Sequence, residues 1–100
     1  MKIKLLNEHA KIPTRASGSA AGYDLYCAHD RNHFIHPGDT LKVYTGVAME
    51  IPDGYVGLVF ARSGIATKHG IRPANCVGVI DSDYRGEIIV ALHNDSDAPY

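Results

Sequence analysis

Short apolar or alternating stretches, separated by turn residues every several positions, make up most of this chain. Ten glycines and five prolines interrupt it, so no long window carries the period of an amphipathic helix. Several of the stretches are rich in Val, Ile and Tyr, which favour strands. The pattern predicts strands at Ile3–Leu6, Tyr23–Ala28, Phe34–Ile35, Thr40–Tyr44, Val47–Ile51, Tyr55–Phe60, Cys76–Ile80 and Glu87–Leu92. Many short strands at this spacing indicate a β-sandwich or β-barrel.

One segment departs from this pattern and predicts a short helix. Residues 63–70 read Ser-Gly-Ile-Ala-Thr-Lys-His-Gly, in which Ser63 can cap the start of a helix and Gly70 can end it. Residues 36–39 and 51–54 each combine a proline that restricts φ with a glycine that permits a turn. The expected fold is therefore all-β with one short helix.

The composition fits one globular domain spanning residues 1–100, with 45% hydrophobic and 21% charged residues. A domain this small buries a marginal core, so association between subunits is a way to add buried surface. Ten basic and eleven acidic residues lack the basic excess that binding a nucleic-acid polymer requires. No apolar run could cross a bilayer, and residues 1–6 lack the apolar run of a signal peptide. We therefore expect a cytoplasmic protein without a membrane partner.

Three segments hold more Gly, Asp, Arg and Ser than a solvated loop needs. They are residues 19–25 (Ser-Ala-Ala-Gly-Tyr-Asp-Leu), 61–64 (Ala-Arg-Ser-Gly) and 75–86 (Asn-Cys-Val-Gly-Val-Ile-Asp-Ser-Asp-Tyr-Arg-Gly). Their order and wording resemble the first three signature motifs of the homotrimeric dUTP nucleotidohydrolases, the dUTPases, and three long motifs in order are far more specific than one short pattern. The resemblance implies a jelly-roll-like β fold and a homotrimer with sites between subunits. It also implies hydrolysis of dUTP to dUMP and pyrophosphate.

The second motif has the residue types of a phosphate site. Arg62 carries a permanent positive charge, and Ser63 and Gly64 open the predicted helix, whose first N–H groups have no partner within it. Taken alone, the motif is equally compatible with an ordinary helix cap beside a surface arginine. The resemblance assigns Arg62, Ser63 and Gly64 to the substrate phosphates. The family usually has proline where this chain has Ala61, a departure that removes backbone rigidity but no functional group.

The third motif predicts a hairpin whose two strands are joined through the Asp-Ser-Asp-Tyr turn of residues 81–84. Fixed backbone groups on such a hairpin can tell uracil from cytosine, because the two bases present opposite donors and acceptors. The resemblance implies that this hairpin reads uracil and that Tyr84 packs under the deoxyribose, leaving no room for a 2′-hydroxyl. A packed aromatic residue of the core is the alternative for Tyr84. The residues around the base would be Asn75, Gly78, Val79 and Ile80.

Three aspartates in these motifs are candidates for catalysis or metal binding. Asp81 and Asp83 share one face if the backbone is extended, whereas a turn would separate them. The resemblance assigns to Asp81 the base that deprotonates the water attacking the α-phosphorus, and Asp83 is left to cap the turn or to pair with a nearby arginine. It assigns Asp24 to the Mg²⁺ that accompanies the triphosphate, through a metal-bound water. Since Mg²⁺ keeps waters and binds mainly through substrate phosphates, no all-protein metal cage is expected.

Histidines and cysteines suggest two other chemistries, which the sequence supports less well. His29, His33 and His36 are close enough in sequence to suggest zinc, but their segment reads as loop and strand without further ligands. Cys27 and Cys76 are flanked by apolar or small residues, which suits buried free thiols better than a disulfide or a thiolate nucleophile.

Two alternatives to an active dUTPase are also open. A dCTP deaminase shares the fold but needs a glutamate base beside the pyrimidine, and Glu8, Glu50 and Glu87 lie in no matching context. dUTPases continue past the third motif with a further strand and a Gly- and Arg-rich arm that closes over the substrate. We expect this chain to lack that strand and arm, so a catalytically impaired nucleotide-binding fragment is the second alternative.

Overall fold

The computed structural model describes residues 1–100, which form seven strands and one helix. The strands are β1 (Lys2–Leu5), β2 (Thr40–Tyr44), β3 (Val47–Glu50), β4 (Gly57–Val59), β5 (Ile71–Pro73), β6 (Gly78–Ile80) and β7 (Ile89–Asn94). Helix α1 (Ser63–His69) lies between β4 and β5 along the chain. The prediction of an all-β fold with one short helix is confirmed.

The strands pair antiparallel and form three small sheets. β1 pairs with β3, β4 pairs with β6, and the third sheet has the order β2–β7–β5. Strands that follow one another along the chain, such as β2 and β3, lie in different sheets. The strands do not form a closed barrel. Of the two predicted forms, sandwich and barrel, the separate sheets match the sandwich.

The fully buried core is small for a chain of this length. Only 12 of the 100 residues are buried, and Val47, Pro73 and Asn94 are the largest side chains that are less than 2% exposed. Many large apolar side chains lie at the surface instead, among them Phe34, Tyr55, Phe60 and Val79. Exposed apolar surface of this extent is typical of interaction surfaces.

The predicted strand at Tyr23–Ala28 is wrong. Its residues form only an isolated bridge between Asp24 and Thr14 and one bond from the Ala28 N–H to the Tyr44 carbonyl, at 2.8 Å. Residues 7–20, which run beside it at Thr14, consist of turns, bends and irregular backbone without a strand. Because that segment offers no continuous ladder of partners, the β-favouring side chains of residues 23–28 cannot form a strand.

Two further differences concern strand pairing. The predicted strand at Phe34–Ile35 is absent, since Ile35 exchanges its backbone N–H and C=O bonds with Tyr100 in a single pair. Conversely, β5 is not among the strands that the sequence analysis predicts, and a proline within a three-residue run is unusual for a strand. The structure places β5 at the edge of its sheet, where a proline is tolerated because one side of the strand needs no partner.

Helix α1 begins differently from the prediction and ends as predicted. Arg62, not Ser63, is the N-cap residue, and it makes no side-chain capping bond. Gly70 ends the helix in the left-handed conformation (φ 66°), and its N–H donates to the Ala66 carbonyl. No side chain therefore satisfies the first N–H groups of the helix.

Both cysteines lie at the surface of the protein. Cys27 and Cys76 are free, as predicted, but both are exposed, so the prediction of buried thiols is wrong. The β-favouring residues around them lie in a loop and in a turn, neither of which encloses the side chain. None of the helices in this structure is long and apolar enough to span a membrane.

Candidate active site

A cleft of about 380 Å³ lies between the β4–β6 sheet and the sheet that contains β5 and β7. Most of the residues that line it are hydrophobic, with a few polar groups among them, which is the usual form of a small-molecule site. It brings together six of the residues that the sequence assigned to the base, the sugar and catalysis. They are Asn75, Gly78, Val79, Ile80, Asp81 and Tyr84.

The cleft exists because the third motif does not form the complete hairpin that the sequence predicts. Strand β6 is present, and the chain turns after it, with the Tyr84 N–H donating to the Asp81 carbonyl at 3.1 Å. Beyond the turn the chain does not return along β6, because β6 pairs with β4 while β7 pairs with β2 and β5. The connection between β6 and β7 therefore spans two sheets and leaves a space between them.

A tight turn before β6 places Asn75 at the cleft. Within it, the Cys76 N–H donates to the Pro73 carbonyl and the Val77 N–H to the Asn75 carbonyl, each at 2.8 Å. Cys76 has a φ of 67°, which is uncommon for any residue other than glycine. Gly78 follows, and a Cβ there would lie 3.2 Å from the Val59 Cβ, so glycine allows β6 to approach β4 closely.

The side chain of Arg72, on β5, bonds to this turn and holds it in place. Its Nη1 donates to the carbonyls of Pro73 and Ala74, both at 3.1 Å, and to the Cys76 Sγ at 3.8 Å. Its Nε also bonds Asp95 at 2.5 Å. The hydrogen bond to Arg72 lowers the pKa of Asp95, and the same bond raises the pKa of Arg72. Sequence reasoning missed Arg72, because nothing in Ile-Arg-Pro indicates that its side chain reaches back to the turn.

The ring of Tyr84 is held in place at the edge of the cleft. Its hydroxyl donates to the Glu87 carbonyl at 2.7 Å, and a Cβ on Gly86 would lie only 2.7 Å from that hydroxyl oxygen. Tyr84 is 44% exposed. The alternative of a packed core aromatic is therefore wrong, because the ring lies against the Gly86 backbone at the edge of the cleft.

The two aspartates of the third motif differ in their surroundings. Asp81 lines the cleft and is exposed. Asp83 is exposed and makes no hydrogen bond or ion pair. Arg85, the nearest arginine in sequence, donates instead to the carbonyls of Ser82 and Tyr84, at 2.6 and 3.1 Å. The expectation that Asp83 caps the turn or pairs with an arginine is wrong, because Arg85 bonds the backbone of the turn itself.

Arg62 and Asp24, from two different motifs, form a second cluster. The Arg62 Nε lies 3.8 Å from the Asp24 Oδ1, and their side chains are 68% and 31% exposed. Asp24 is held by a two-way backbone bridge to Thr14, with bonds of 2.7 and 3.3 Å. A loop and a helix start thus place one carboxylate and one guanidinium side by side at the surface.

Ser63 and Gly64 complete this cluster at the start of α1. Their backbone N–H groups have no hydrogen-bond acceptor, and a Cβ on Gly64 would meet nothing within 4 Å. Open space and free donors are compatible with an anionic ligand. None of Asp24, Arg62, Ser63 and Gly64 lines the cleft, so within one chain the predicted site residues form two separate groups.

Comparison with known proteins decides the family. The family profile described as dUTPase matches residues 8–99, nearly the whole chain. This chain belongs to the dUTPase family. A deoxyuridine 5′-triphosphate nucleotidohydrolase of Desulfitobacterium hafniense is 52% identical over 91 residues, covering 90% of this chain and 60% of that protein. One of Anaplasma marginale is 46% identical over 98 residues, covering 94% of this chain and 67% of that protein.

Solved structures give the same result for the fold. A mutant dUTPase from phage phi11 of S. aureus superposes with a TM-score of 0.85 at 34% identity, over 95% of this chain and 60% of that chain. The jelly-roll-like prediction is thereby confirmed. That phage enzyme coordinates a structural Mg(II) ion. The chain spans about three fifths of the D. hafniense relative and of the phage structure.

The fit of a metal ion can be tested on the side chains of this chain. No group of three or more His, Cys, Asp or Glu side chains is placed to hold a metal ion. The Asp24 carboxylate is partly exposed beside Arg62, and Mg²⁺ that keeps its waters needs only such a single carboxylate. The residues therefore fit a water-mediated contact. The His29 and His33 rings are 4.6 Å apart, but His36 does not complete a set of ligands with them.

Glu87 is a residue of the cleft that sequence reasoning did not assign to the candidate site. It lines the cleft, and its Oε2 accepts a hydrogen bond from the Gly46 N–H at 2.9 Å. The sequence offers Glu87 only as a candidate base for the deaminase alternative. Its position directly after Gly86 at the end of the third motif is the one signal that could have pointed to it.

Proposed function

We propose that this protein hydrolyses dUTP to dUMP and pyrophosphate, using Mg²⁺. The observation that carries the proposal is the cleft, where Asn75, Asp81 and Tyr84 come together. Membership of the dUTPase family and the relatives named as deoxyuridine 5′-triphosphate nucleotidohydrolases support it.

In the proposed complex, uracil and deoxyribose occupy the cleft. Backbone groups of β6 at Gly78, Val79 and Ile80 and the Asn75 side chain would pair with the polar edge of uracil. Cytosine presents the opposite donor and acceptor, so binding it would leave buried groups unpaired. Tyr84 would lie against the sugar. Its ring, which the hydroxyl bond to Glu87 holds in place, would exclude the 2′-hydroxyl of a ribonucleotide.

Asp81 would be the general base for the attacking water. The carboxylate takes a proton from the water, whose oxygen forms a bond to the α-phosphorus. The bond between the α-phosphorus and the bridging oxygen then breaks, and pyrophosphate leaves with that oxygen. The exposed position of Asp81 at the cleft leaves room for a water molecule beside it.

The phosphates would be bound by the cluster at the start of α1. Arg62 supplies positive charge, and the N–H groups of Ser63 and Gly64 supply free donors. Asp24 would hold a water of the Mg²⁺ ion, which when bound neutralises charge on the triphosphate oxygens. Since the cluster and the cleft are separate within one chain, we propose that one subunit supplies the cleft and another the phosphate cluster.

A homotrimer is the proposed assembly. Val56, Leu58, Phe60 and Val79 are each more than half exposed, and Leu58 and Val79 are direct partners in the β4–β6 ladder. We call these four residues the β4–β6 face. A contiguous apolar face on a sheet is typical of a subunit contact. We propose that the protein acts in the cytoplasm, where a dUTP pool would be available to it.

Nucleotide binding without turnover is a second candidate. It is favoured by the separation of the phosphate cluster from the cleft within one chain. A chain that holds only part of a site can bind the base and sugar without aligning the phosphates for attack.

The test measures pyrophosphate release and nucleotide binding in the presence of Mg²⁺, with dUTP compared against UTP and dCTP. Release from dUTP far above release from the other two supports the hydrolase. Selective dUTP binding without release supports the second candidate. Equal binding of all three nucleotides without release would contradict both.

A further inference from the structure

Two successive hydrogen bonds connect the Tyr84 ring, through Glu87, to Gly46. The Tyr84 hydroxyl bonds the Glu87 carbonyl at 2.7 Å, and the Glu87 carboxylate bonds the Gly46 N–H at 2.9 Å. One residue therefore bonds the tyrosine through its backbone and the β2–β3 connection through its side chain. No other side chain makes a hydrogen bond to Gly46 or to the Tyr84 ring.

The Gly46 end of these two hydrogen bonds is rigid. Gly46 is buried at a φ of 66°, and an added Cβ there would lie 2.7 Å from the Ala10 Cβ. Its neighbours clamp the residue after Glu87, since the Thr45 hydroxyl donates to the Ile88 carbonyl at 2.7 Å. The Ile88 N–H also donates to the Val47 carbonyl at 2.8 Å. Glu87 is thus anchored to the most buried part of the fold.

The Tyr84 end of these two hydrogen bonds needs such an anchor. Tyr84 lies on an exposed connection between two sheets, and Gly86 next to it has no side chain that could hold the ring. The bond from the Ile88 N–H to Val47 holds the peptide group of the Glu87 carbonyl on one side, and the Glu87 side-chain bond to Gly46 holds the residue on the other. Without the Gly46 bond, Glu87 would be held on one side only, and its carbonyl would be free to tilt. The ring that bonds this carbonyl would then shift along the edge of the cleft.

We propose that Glu87 is a positioning residue that sets the place of the Tyr84 ring, and with it the rejection of ribonucleotides. The inference rests on the proposed function, in which Tyr84 excludes the 2′-hydroxyl. Exclusion of one oxygen atom depends on ring displacements of about 1 Å, and misplacement of this size is enough to alter selectivity or rate. Glu87 itself touches no reacting atom.

The test compares dUTP with UTP in the full-length protein. The ratio of kcat/KM values and the ratio of binding constants are both measured, so the result does not require turnover. Glu87→Ala is expected to lower the preference for dUTP by about tenfold, mainly by raising the value for UTP. Tyr84→Phe, which keeps the ring but removes the hydroxyl donor, should lower it in the same direction.

Two variants serve as controls. Glu87→Gln keeps an acceptor oxygen at the same distance along the side chain, so it should retain the wild-type preference. Glu50→Ala changes an exposed glutamate at the end of β3 that makes no side-chain hydrogen bond. It should leave the preference unchanged. A merely structural role for Glu87 would lower the values for both nucleotides in proportion, leaving their ratio constant.

Tyr84→Ala separates this inference from the proposed function. If that variant keeps the wild-type preference for dUTP, the role of Tyr84 in the proposed function is wrong. If Tyr84→Ala lowers the preference while Glu87→Ala and Tyr84→Phe do not, the positioning role is overturned and the proposed function stands.

Discussion

Asp81 and Asp83 carry the same functional group two positions apart, yet only Asp81 lines the cleft. The turn that follows β6 separates them, so that one aspartate faces the space between the sheets and the other lies in solvent without a partner. The sequence left both geometries open, and the resemblance to a family motif favoured Asp81. The structure places Asp81 at the cleft, and its role as the base stays a prediction.

Asp81→Asn is expected to abolish turnover while dUTP affinity stays within about tenfold of the wild type, because a water-activating base acts mainly in the transition state. Pyrophosphate release at saturating dUTP and a binding titration measure the two effects. Asp83→Asn is the matched control and should retain turnover. A wild-type rate constant for Asp81→Asn would remove Asp81 from the base role.

At the scale of elements, the connection between β2 and β3 carries the chain from one sheet to another in two residues. Gly46 is the second of them, and its carbonyl accepts from the Leu6 N–H at 2.7 Å while its own N–H donates to Glu87. A side chain at this position would meet both Ala10 and Asn7. The crossover between sheets therefore depends on one glycine.

Gly46→Ala should destabilise the protein by about 2 kcal/mol or more, since alanine is strained at positive φ and its Cβ has no space. Thermal or denaturant unfolding measures the loss. Gly18→Ala is the matched control, because a Cβ at Gly18 meets nothing within 4 Å and no positive φ is involved. Equal stability of the two variants would show that the connection adapts to a side chain.

The Arg72–Asp95 pair links β5 to the residue that follows β7. Because Arg72 holds the pKa of Asp95 below its ordinary value of 3.8, the folded state binds the proton more weakly than the unfolded state. The pair therefore stabilises the fold above that ordinary value, and this stability is lost as the pH falls through the lowered pKa. His93 also faces Asp95, with its Nε2 3.5 Å from the Oδ1.

We expect Asp95→Asn to melt at a lower temperature than the wild type near neutral pH, with the difference shrinking as the pH falls below about 4. Melting temperatures across the acid range, with Asp97→Asn as an exposed control, measure this. A difference that stays constant down to the lowest pH would contradict a contribution from the ionised Asp95.

At the scale of the whole molecule, the small core and the β4–β6 face belong together. A chain that buries 12 residues and exposes many large apolar side chains gains stability by covering that surface. The same association would bring the phosphate cluster of one subunit to the cleft of another. Stability and site completion would then depend on one contact.

Leu58→Glu should shift the protein from the proposed trimer towards the monomer and reduce dUTP turnover in parallel, because it buries a charge in the proposed contact. Sedimentation and pyrophosphate release measure the two effects. Ile12→Glu, at an exposed apolar residue outside the β4–β6 face, is the control. Full turnover by a monomeric Leu58→Glu would contradict sites shared between subunits.

Local residue order was enough to predict much of this protein. The alternation in Thr40–Tyr44 and the end of α1 at Gly70 depend on neighbours in sequence, so both patterns survive in the structure. Three motifs in order also indicated the family and the residues at Asn75, Asp81 and Tyr84. These are properties of short segments, which a sequence displays directly.

Tertiary structure decided what depends on partners distant in the chain. Residues 23–28 have strand-favouring side chains but no ladder to join, whereas Ile71–Pro73 became a strand because β7 lies beside it. The bond of Glu87 to Gly46 and the reach of Arg72 to its turn join residues that no local pattern connects. A strand or a hydrogen bond needs two partners. The sequence around a residue shows what that residue favours, but the fold decides which distant residue lies beside it.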